Sequence, residues 1–118
     1  MDANTKIATV EKYVEAFDKQ SMDLIREIYA DDAVVEDPVG TDTYHGIEAI
    51  CGFYKTGLES GVKLHLTGPV RVAGNAAAFP FQVKMGDMVI NIIDVFEFND
   101  AGKVVSMKAY WGPENMES

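Results

Sequence analysis

The sequence has few of the residues that usually indicate a disulfide or a metal site. Its 118 residues include one cysteine, Cys51, and two histidines, His45 and His65. A single cysteine excludes an internal disulfide and favours a reducing compartment. The histidines lie far from each other in the chain and from any regular acid spacing, so no metal site is predicted. Phosphate loops, dinucleotide-binding glycine patterns and nucleophile elbows are absent from the sequence as well.

Positive charge and long apolar runs are also scarce. Ten Lys and Arg residues stand against nineteen Asp and Glu residues, which gives a net charge of −9. Such a surface repels phosphate backbones and anionic lipids, so neither nucleic acid nor a membrane is an expected partner. No apolar run approaches the roughly 20 residues of a membrane-spanning helix, and the N-terminus does not read as a signal peptide. We therefore expect a cytoplasmic protein.

The order of the apolar patterns predicts a single α+β domain over residues 1–118. A chain of this length with 47% apolar residues is typical of one globular domain. In the first half apolar residues recur at helical spacing, and Ser21 is a candidate N-cap for the second of three helices. In the second half apolar and polar residues alternate, as they do in strands. We expect three N-terminal helices packed on a curved, mostly antiparallel sheet that forms a conical pocket.

Two details of the strand pattern make sharper predictions. The pair Gly86–Asp87 separates two alternating segments and predicts a two-residue hairpin turn. In the last segment, strict alternation predicts that Val105, Met107, Ala109 and Trp111 share one face of a strand.

Asp94 is the most informative acid because of its apolar neighbours along the strand. In VINIIDVFEF, alternation points it to the same side as Ile90, Ile92, Phe96 and Phe98. An ionised carboxylate is strongly disfavoured there unless it is paired, so a protonated group with a raised pKa is expected. The alternative is an acid near a strand end that reaches solvent or pairs with a Lys or Arg. Spacing alone does not choose between the two.

The stretch YADDAVVEDPVG holds four more acids. Asp37 precedes Pro38, which restricts its backbone to extended conformations and leaves it a possible inward-facing acid. On local grounds alone, the favoured interpretation is an Asp-Pro turn at a strand end. Asp31 and Asp32 are expected at the end of the second helix, and Glu36 alternates away from Asp37. We therefore expect these other three acids on the surface.

Three tyrosines, Tyr13, Tyr29 and Tyr54, fall on the inward faces of the predicted helices. A buried tyrosine usually needs a hydrogen-bond partner. The three are either separate core residues with local backbone partners, or a cluster in one cavity whose hydroxyls form a hydrogen-bonded chain. Methionine and phenylalanine side chains in the second half most often indicate core, but they would equally suit an apolar ligand pocket.

Several motifs follow one another along nearly the whole chain, from about Val10 to Trp111. They are YADDAVVEDPVG, HG, FY before a Gly-Leu step, LTGPVR, IIDVFEF and AGKVVSMKAYW. In order and spacing they resemble the Δ5-3-ketosteroid isomerases, which belong to the nuclear transport factor 2-like superfamily. The Gly86–Asp87 hairpin is shorter than in the family's known pattern, so the rim of the pocket is expected to differ.

The resemblance implies a catalytic set. Asp37, in VEDPVG, falls on the family's catalytic base. Tyr13, in EKYVEAF, and Asp94, in IIDVF, fall on its two oxyanion-hole donors, the arrangement by which known members act. Two further tyrosines fall on positions that support Tyr13 through hydrogen bonds in some members, and three residues fall on apolar pocket positions. The implied substrate-binding residues are Tyr29, Tyr54, Phe81, Met107 and Trp111.

The activity implied by the resemblance is isomerisation of a 3-oxo-Δ5-steroid to a 3-oxo-Δ4-steroid through a dienolate. It needs a small apolar steroid as substrate and neither metal nor organic cofactor. The alternatives on this fold are another enzyme, such as a cyclase, dehydratase or epoxide hydrolase, or a non-catalytic domain that binds steroids or phenols. The resemblance also implies a homodimer, for which outward-facing Val89, Ile93 and Val95 could supply an apolar patch.

Overall fold

Three helices precede most of the strands in the computed structural model, which describes residues 2–118. The helices are α1 (Ala3–Asp18), α2 (Met22–Ile28) and α3 (Ile47–Ser60). The strands are β1 (Tyr29–Glu36), β2 (Tyr44–His45), β3 (Lys63–Leu66), β4 (Arg71–Ala73), β5 (Ala76–Met85), β6 (Met88–Phe98), β7 (Val104–Tyr110) and β8 (Met116–Glu117). A short 3-10 helix occupies Pro113–Asn115. No helix within residues 2–118 is long and apolar enough to cross a membrane.

The helix ends follow local capping chemistry. The Asp2 carboxylate accepts a hydrogen bond from the Thr5 amide at 2.9 Å and caps α1. The Ser21 hydroxyl accepts one from the Leu24 amide at 3.2 Å, which confirms the N-cap predicted for α2. Helix α3 ends at Gly61, whose positive φ of 78° suits glycine and stops the helix.

The sheet is mixed and mostly antiparallel, with strand order β2-β1-β7-β6-β5-β3. Strands β4 and β8 pair beside this path with β5 and β6. Strands β1 and β7 are parallel, and the other pairs are antiparallel. The predicted architecture, three helices packed on a curved sheet, is confirmed.

Aromatic side chains fill the space between α1, α3 and the sheet. The Tyr13 ring makes edge-on contacts with Phe17, Tyr54, Phe79 and Phe96, with ring centroids 5.2 to 6.0 Å apart. All five residues are buried. Edge-on aromatic pairs hold one another in fixed orientations, so this cluster determines where the Tyr13 hydroxyl lies.

The hairpin prediction is confirmed. Met85 pairs with Met88, which leaves Gly86 and Asp87 as a two-residue turn between β5 and β6. Gly86 has a φ of +60°, as a tight turn of this kind requires. The hairpin is therefore as short as the sequence indicated.

Two expectations about local structure were wrong. Helix α2 ends at Ile28 and β1 begins at once, so Asp31 and Asp32 lie in a strand rather than at a helix end, although both are exposed as expected. Tyr29, predicted on the inward face of that helix, is the first residue of β1, although it is buried. Strict alternation also failed at one position of β7: Met107 and Ala109 are buried as predicted, but Val105 is not. Phe98 pairs with Val104 and Glu97 with Ser106, so a bulge at Val105 interrupts the register. Val104 is consequently fully buried, and Val105 is only partly so.

Candidate active site

A cavity of about 260 Å³ lies between helices α1 and α3 and the sheet, and its walls are mainly apolar. Three polar side chains line it: Asp37, Tyr13 and Tyr54. Trp111 also lines the cavity, and its indole N–H is a further polar group. The remaining lining residues are Phe17, Phe53, Gly57, Val62, Leu64, Phe81, Val83, Ile90 and Ile92.

Asp37 is the acid that reaches this cavity. It follows directly after β1, and its peptide bond to Pro38 is cis. The loop beyond it is fixed by the Val39 amide, which donates to the Ala109 carbonyl at 2.8 Å, and by the Gly40 amide, which donates to the Glu36 carboxylate at 2.8 Å. These bonds anchor the loop to β7 and β1, so Asp37 is held at a defined place on the cavity wall.

One hydrogen bond holds the Asp37 carboxylate. The Trp111 indole N–H donates to Oδ1 at 2.8 Å. Partial burial raises the pKa of Asp37, and the bond from Trp111 opposes that rise because it stabilises the charged form. Within residues 2–118 no hydrogen bond engages Oδ2. A half-buried carboxylate with one free oxygen is suited to accept a proton from a ligand.

The three tyrosines form one hydrogen-bonded chain. The Tyr54 hydroxyl lies 3.0 Å from that of Tyr13 and 2.5 Å from that of Tyr29, so Tyr54 is the centre. Burial, reinforced by neighbouring acids and hydroxyls, raises the pKa of all three well above the usual tyrosine value. Of the two interpretations of these tyrosines, the structure therefore supports the cluster over separate core residues.

The three hydrogen-bonded tyrosines leave one hydroxyl proton without an acceptor. Three hydroxyls supply three protons, and two hydrogen bonds consume two of them. If the donors run from Tyr29 to Tyr54 to Tyr13, the free proton is that of Tyr13, which faces the cavity. An acceptor placed beside Tyr13 favours this direction, because it gives every proton a partner.

Asp94 lies in the central strand β6, between Phe79 of β5 and Ala109 of β7. Its side chain is 1% exposed, and neither carboxylate oxygen has a hydrogen-bond partner within residues 2–118. Burial raises its pKa well above the usual value, and Asp37 adds to the rise. The nearby Tyr13 hydroxyl opposes this rise in pKa, although it makes no hydrogen bond to the carboxyl in this structure. The expected apolar surroundings of Asp94 are confirmed, and a protonated carboxyl follows from them.

The structure divides the residues predicted for the site into two groups. Asp37, Tyr13, Tyr54, Phe81 and Trp111 line the cavity. The other three are buried just outside the lining, and they are Tyr29, Asp94 and Met107. Met107 is fully buried opposite Phe96 in the sheet, and Tyr29 reaches the cavity only through Tyr54.

Several features of the site lie outside what the sequence pattern indicated. The hydrogen bond between Trp111 and Asp37 joins residues 74 positions apart, so no local sequence pattern predicts it. Phe53 and Val62 also line the cavity. Phe53 lies on α3 just before Tyr54, so helical periodicity would have separated the two. Its contact with the cavity depends on how α3 packs on the sheet.

Comparison with known proteins gives the family. Residues 10–107 match the family described as SnoaL-like domain. A steroid Delta-isomerase of Nocardioides simplex is 40% identical over 120 residues, which cover 98% of this chain and 96% of that protein. The solved structure of SalBIII, an epoxide hydrolase/cyclase-like enzyme with a role in pyran ring formation in the polyether salinomycin, has a TM-score of 0.90 at 25% identity, covering 98% of this chain and 96% of that one. This chain belongs to the SnoaL-like family, within the nuclear transport factor 2-like fold.

Proposed function

We propose that this chain is a steroid Delta-isomerase that converts 3-oxo-Δ5-steroids to 3-oxo-Δ4-steroids. The observation that supports this most directly is the composition of one cavity. An ionisable carboxylate, Asp37, and a neutral hydroxyl, Tyr13, face the same apolar space, and the buried carboxyl of Asp94 lies beside Tyr13. The similarity to a steroid Delta-isomerase over nearly the whole chain supports the same reaction.

The first step of the proposed reaction uses Asp37 as a base. A 3-oxo-Δ5-steroid has an acidic C–H at carbon 4, between its carbonyl and its double bond. The free oxygen of Asp37 takes this proton, and the electron pair of the C–H bond moves into the ring to give a dienolate. Burial raises the pKa of Asp37 and so brings its proton affinity closer to that of the carbon acid.

The second requirement is stabilisation of the dienolate oxygen. Tyr13 offers the proton that the tyrosine chain leaves unused, and a protonated Asp94 offers a second O–H. Both donors are neutral, so they bind an oxygen that gains negative charge more strongly than they bind the ground-state carbonyl. Because aromatic packing and burial fix both groups in advance, they need little reorganisation during the reaction.

The reaction closes when Asp37 returns the proton to carbon 6. The double bond then lies between carbons 4 and 5, in conjugation with the carbonyl, and Asp37 is again ionised. One carboxylate serves as base and then as acid, so atoms and charge balance without another reactant. Apolar walls that include Phe81 and Ile92 suit the steroid rings and keep water from the dienolate.

A second candidate, a cyclase or epoxide hydrolase, is favoured by the similarity to SalBIII. Opening an epoxide usually calls for a further charged or acid–base partner beside the acid, for example an Arg-Asp or His-Asp pair. Within residues 2–118, neither arginine and neither histidine lines the cavity. Arg26 pairs with Glu48 at 2.9 Å on the surface, and Arg71 donates to the Pro69 carbonyl. The cavity therefore fits proton transfer better than epoxide opening.

Ultraviolet absorbance tests the proposal. The purified protein is mixed with 5-androstene-3,17-dione, and the absorbance of the conjugated enone is followed beside an Asp37→Asn variant. Growth of the band with wild type alone supports both the reaction and the role of Asp37. Absence of turnover, combined with saturable binding of an equilenin-like phenol, would instead indicate a non-catalytic binding domain.

We also propose a homodimer formed through the outer face of the sheet. Ile93 of β6 and Tyr110 of β7 are directly paired, and they are 49% and 48% exposed. Val89 and Val95 lie beside them along β6 and are partly buried. Sedimentation at micromolar concentration measures this assembly, and a single monomeric species for wild type would contradict it. Ile93→Lys should shift a dimer towards monomer.

A further inference from the structure

The last residues of the chain form a short segment that lies against the sheet. We call residues 112–117 the C-terminal strap. It begins directly after Trp111, makes a single 3-10 turn at Pro113–Asn115 and ends in β8. Strand β8 pairs with β6, with Glu117 opposite Val89 and Met116 opposite Ile90. The strap therefore returns alongside β6, the strand that contains Asp94.

Asn91 of β6 is the side chain that binds this strap. Its Nδ2 donates to the Asn115 carbonyl at 3.3 Å and to the Glu117 carboxylate at 2.6 Å. Its Oδ1 accepts from Gln82 Nε2 at 2.9 Å. One amide thus joins β5, β6 and two points of the strap. An amide is suited to this place because it donates on one side and accepts on the other.

The bonds continue from the strap to the candidate base. The Gly112 amide donates to the Asn115 side chain at 2.9 Å, and the Asn115 amide donates back to the Gly112 carbonyl at 2.9 Å. Gly112 is the neighbour of Trp111, and the Trp111 indole donates to Asp37 at 2.8 Å. Because β7 ends at Tyr110, Trp111 is held on its C-terminal side by the strap.

We propose that Asn91 is a positioning residue for Asp37. By binding the strap it keeps the Trp111 indole against Oδ1, which orients the carboxylate and moderates its proton affinity. The catalytic part of this inference rests on the proposed isomerase function, whereas the effect on Trp111 does not. The other titratable groups in electrostatic contact with Asp37 are Asp94, Tyr13 and Tyr29. Burial raises the pKa of each of these three and favours its protonated form. The Glu117 carboxylate, which binds Asn91, is the titratable group on the strap side.

The single tryptophan makes the inference measurable without substrate. Trp111 is the sole tryptophan of the chain, so all indole fluorescence reports on it. Its emission as a function of pH follows the ionisation of the carboxylate it touches, and acrylamide quenching follows its exposure. The test compares wild type with Asn91→Leu, which keeps the approximate shape and removes every hydrogen bond. Gln82→Leu is the matched control, because it removes one bond to Asn91 and leaves the strap bonds intact.

The expected result is a change in Asn91→Leu that Gln82→Leu does not share. Quenching by acrylamide should increase, and the midpoint of the fluorescence titration should rise by about one pH unit, the size of one hydrogen bond to a charged group. With 5-androstene-3,17-dione, the acid limb of kcat/KM should move up in parallel. Turnover should fall on the order of tenfold, less than the roughly hundredfold cost of a 1 Å misplacement.

Two outcomes would overturn the inference. If quenching and midpoint are the same in Asn91→Leu, Gln82→Leu and wild type, β7 alone positions Trp111 and Asn91 has no such role. If the fluorescence changes but the titration midpoint does not, the strap seats Trp111 without affecting Asp37. Should Asn91→Leu fail to fold, Asn91→Val serves instead, because it suits a strand and removes the same hydrogen bonds without adding a titratable group. Lack of turnover by wild type contradicts the proposed function and leaves the fluorescence test valid.

Discussion

Two aspartates, one lining the cavity and one buried just outside it, show how burial favours different protonation states of the same side chain. Asp94 lies in the central strand, is 1% exposed and has no hydrogen-bond partner within residues 2–118. Asp37 lies at a strand end, is half-buried and accepts a bond from Trp111. The pKa of Asp94 is therefore raised well above its usual range, whereas the rise at Asp37 is moderated. The first is suited to donate a hydrogen bond and the second to accept a proton.

The largest expected effect comes from replacing each of these two aspartates with asparagine. Asp37→Asn removes the base, and we expect kcat to fall by about a thousandfold, within the range for general-base catalysis. Asp94→Asn keeps an N–H donor at the same place, so its loss should be smaller. Initial rates with 5-androstene-3,17-dione measure both. Equal losses in the two variants would mean that the two acids do not have separate roles.

A second comparison concerns the tyrosine chain. Tyr13→Phe removes the hydroxyl that faces the cavity, and we expect turnover to fall on the order of a hundredfold or more, as for one oxyanion donor. Tyr29→Phe removes the far end of the chain and should cost much less, because Tyr13 keeps its hydroxyl and its contact with Tyr54. The ratio of the two kcat values is the measurement. Near wild-type turnover in Tyr13→Phe would refute its role.

The buried state of Asp94 also predicts how stability depends on pH. The pKa of an aspartate in the unfolded chain is about 3.9, and that of folded Asp94 is well above it. The contribution of protonated Asp94 to the free energy of unfolding is therefore fully present below pH 4, and it is lost as the pH rises towards the folded-state pKa. Asp94→Asn removes this titration, so the free energy of unfolding of the variant relative to wild type should improve from pH 4 to pH 8.

Urea denaturation at the two pH values measures that difference. Asp32→Asn, a change at an exposed position of β1, is the control and should not show the improvement. A pH-independent difference between wild type and Asp94→Asn would mean that Asp94 is already ionised when folded.

The smallest expected effect lies at the rim of the cavity. Met85 and Met88 are 51% and 39% exposed and are paired beside the short hairpin turn. By strand alternation they continue the face of Val83 and Ile90, which line the cavity. Met85→Gln should raise KM by about two- to fivefold with kcat unchanged, because a half-exposed side chain contributes only part of its apolar area. The effect should be larger for steroids with a long chain at carbon 17, and equal effects on short and long substrates would exclude Met85 from binding.

The sequence was informative where a local rule decides the structure. Strand alternation was enough to predict the apolar surroundings of Asp94, and turn chemistry was enough to predict the Gly86–Asp87 hairpin. The same rules failed where non-local pairing intervened. The bulge that buries Val104 in place of Val105 depends on how β7 pairs with β6, and no residue type in β7 predicts it. Asp31 and Asp32 likewise lie in a strand because β1 pairs with β7 on either side of them, at Tyr29 and at Val34.

By itself, the sequence determined the order of the main helices and strands, the apolar surroundings of Asp94 and the inward helical positions of Tyr13 and Tyr54, because periodicity and burial act on neighbouring residues. Tertiary structure decided which of these residues meet. It joined Tyr13, Tyr54 and Tyr29 from separate elements into one chain, placed Trp111 against Asp37, and brought Asn91 to the C-terminal strap. These contacts depend on the curvature of the sheet and the packing of α1 and α3 on it. No local pattern encodes them, because each joins residues at least 24 positions apart.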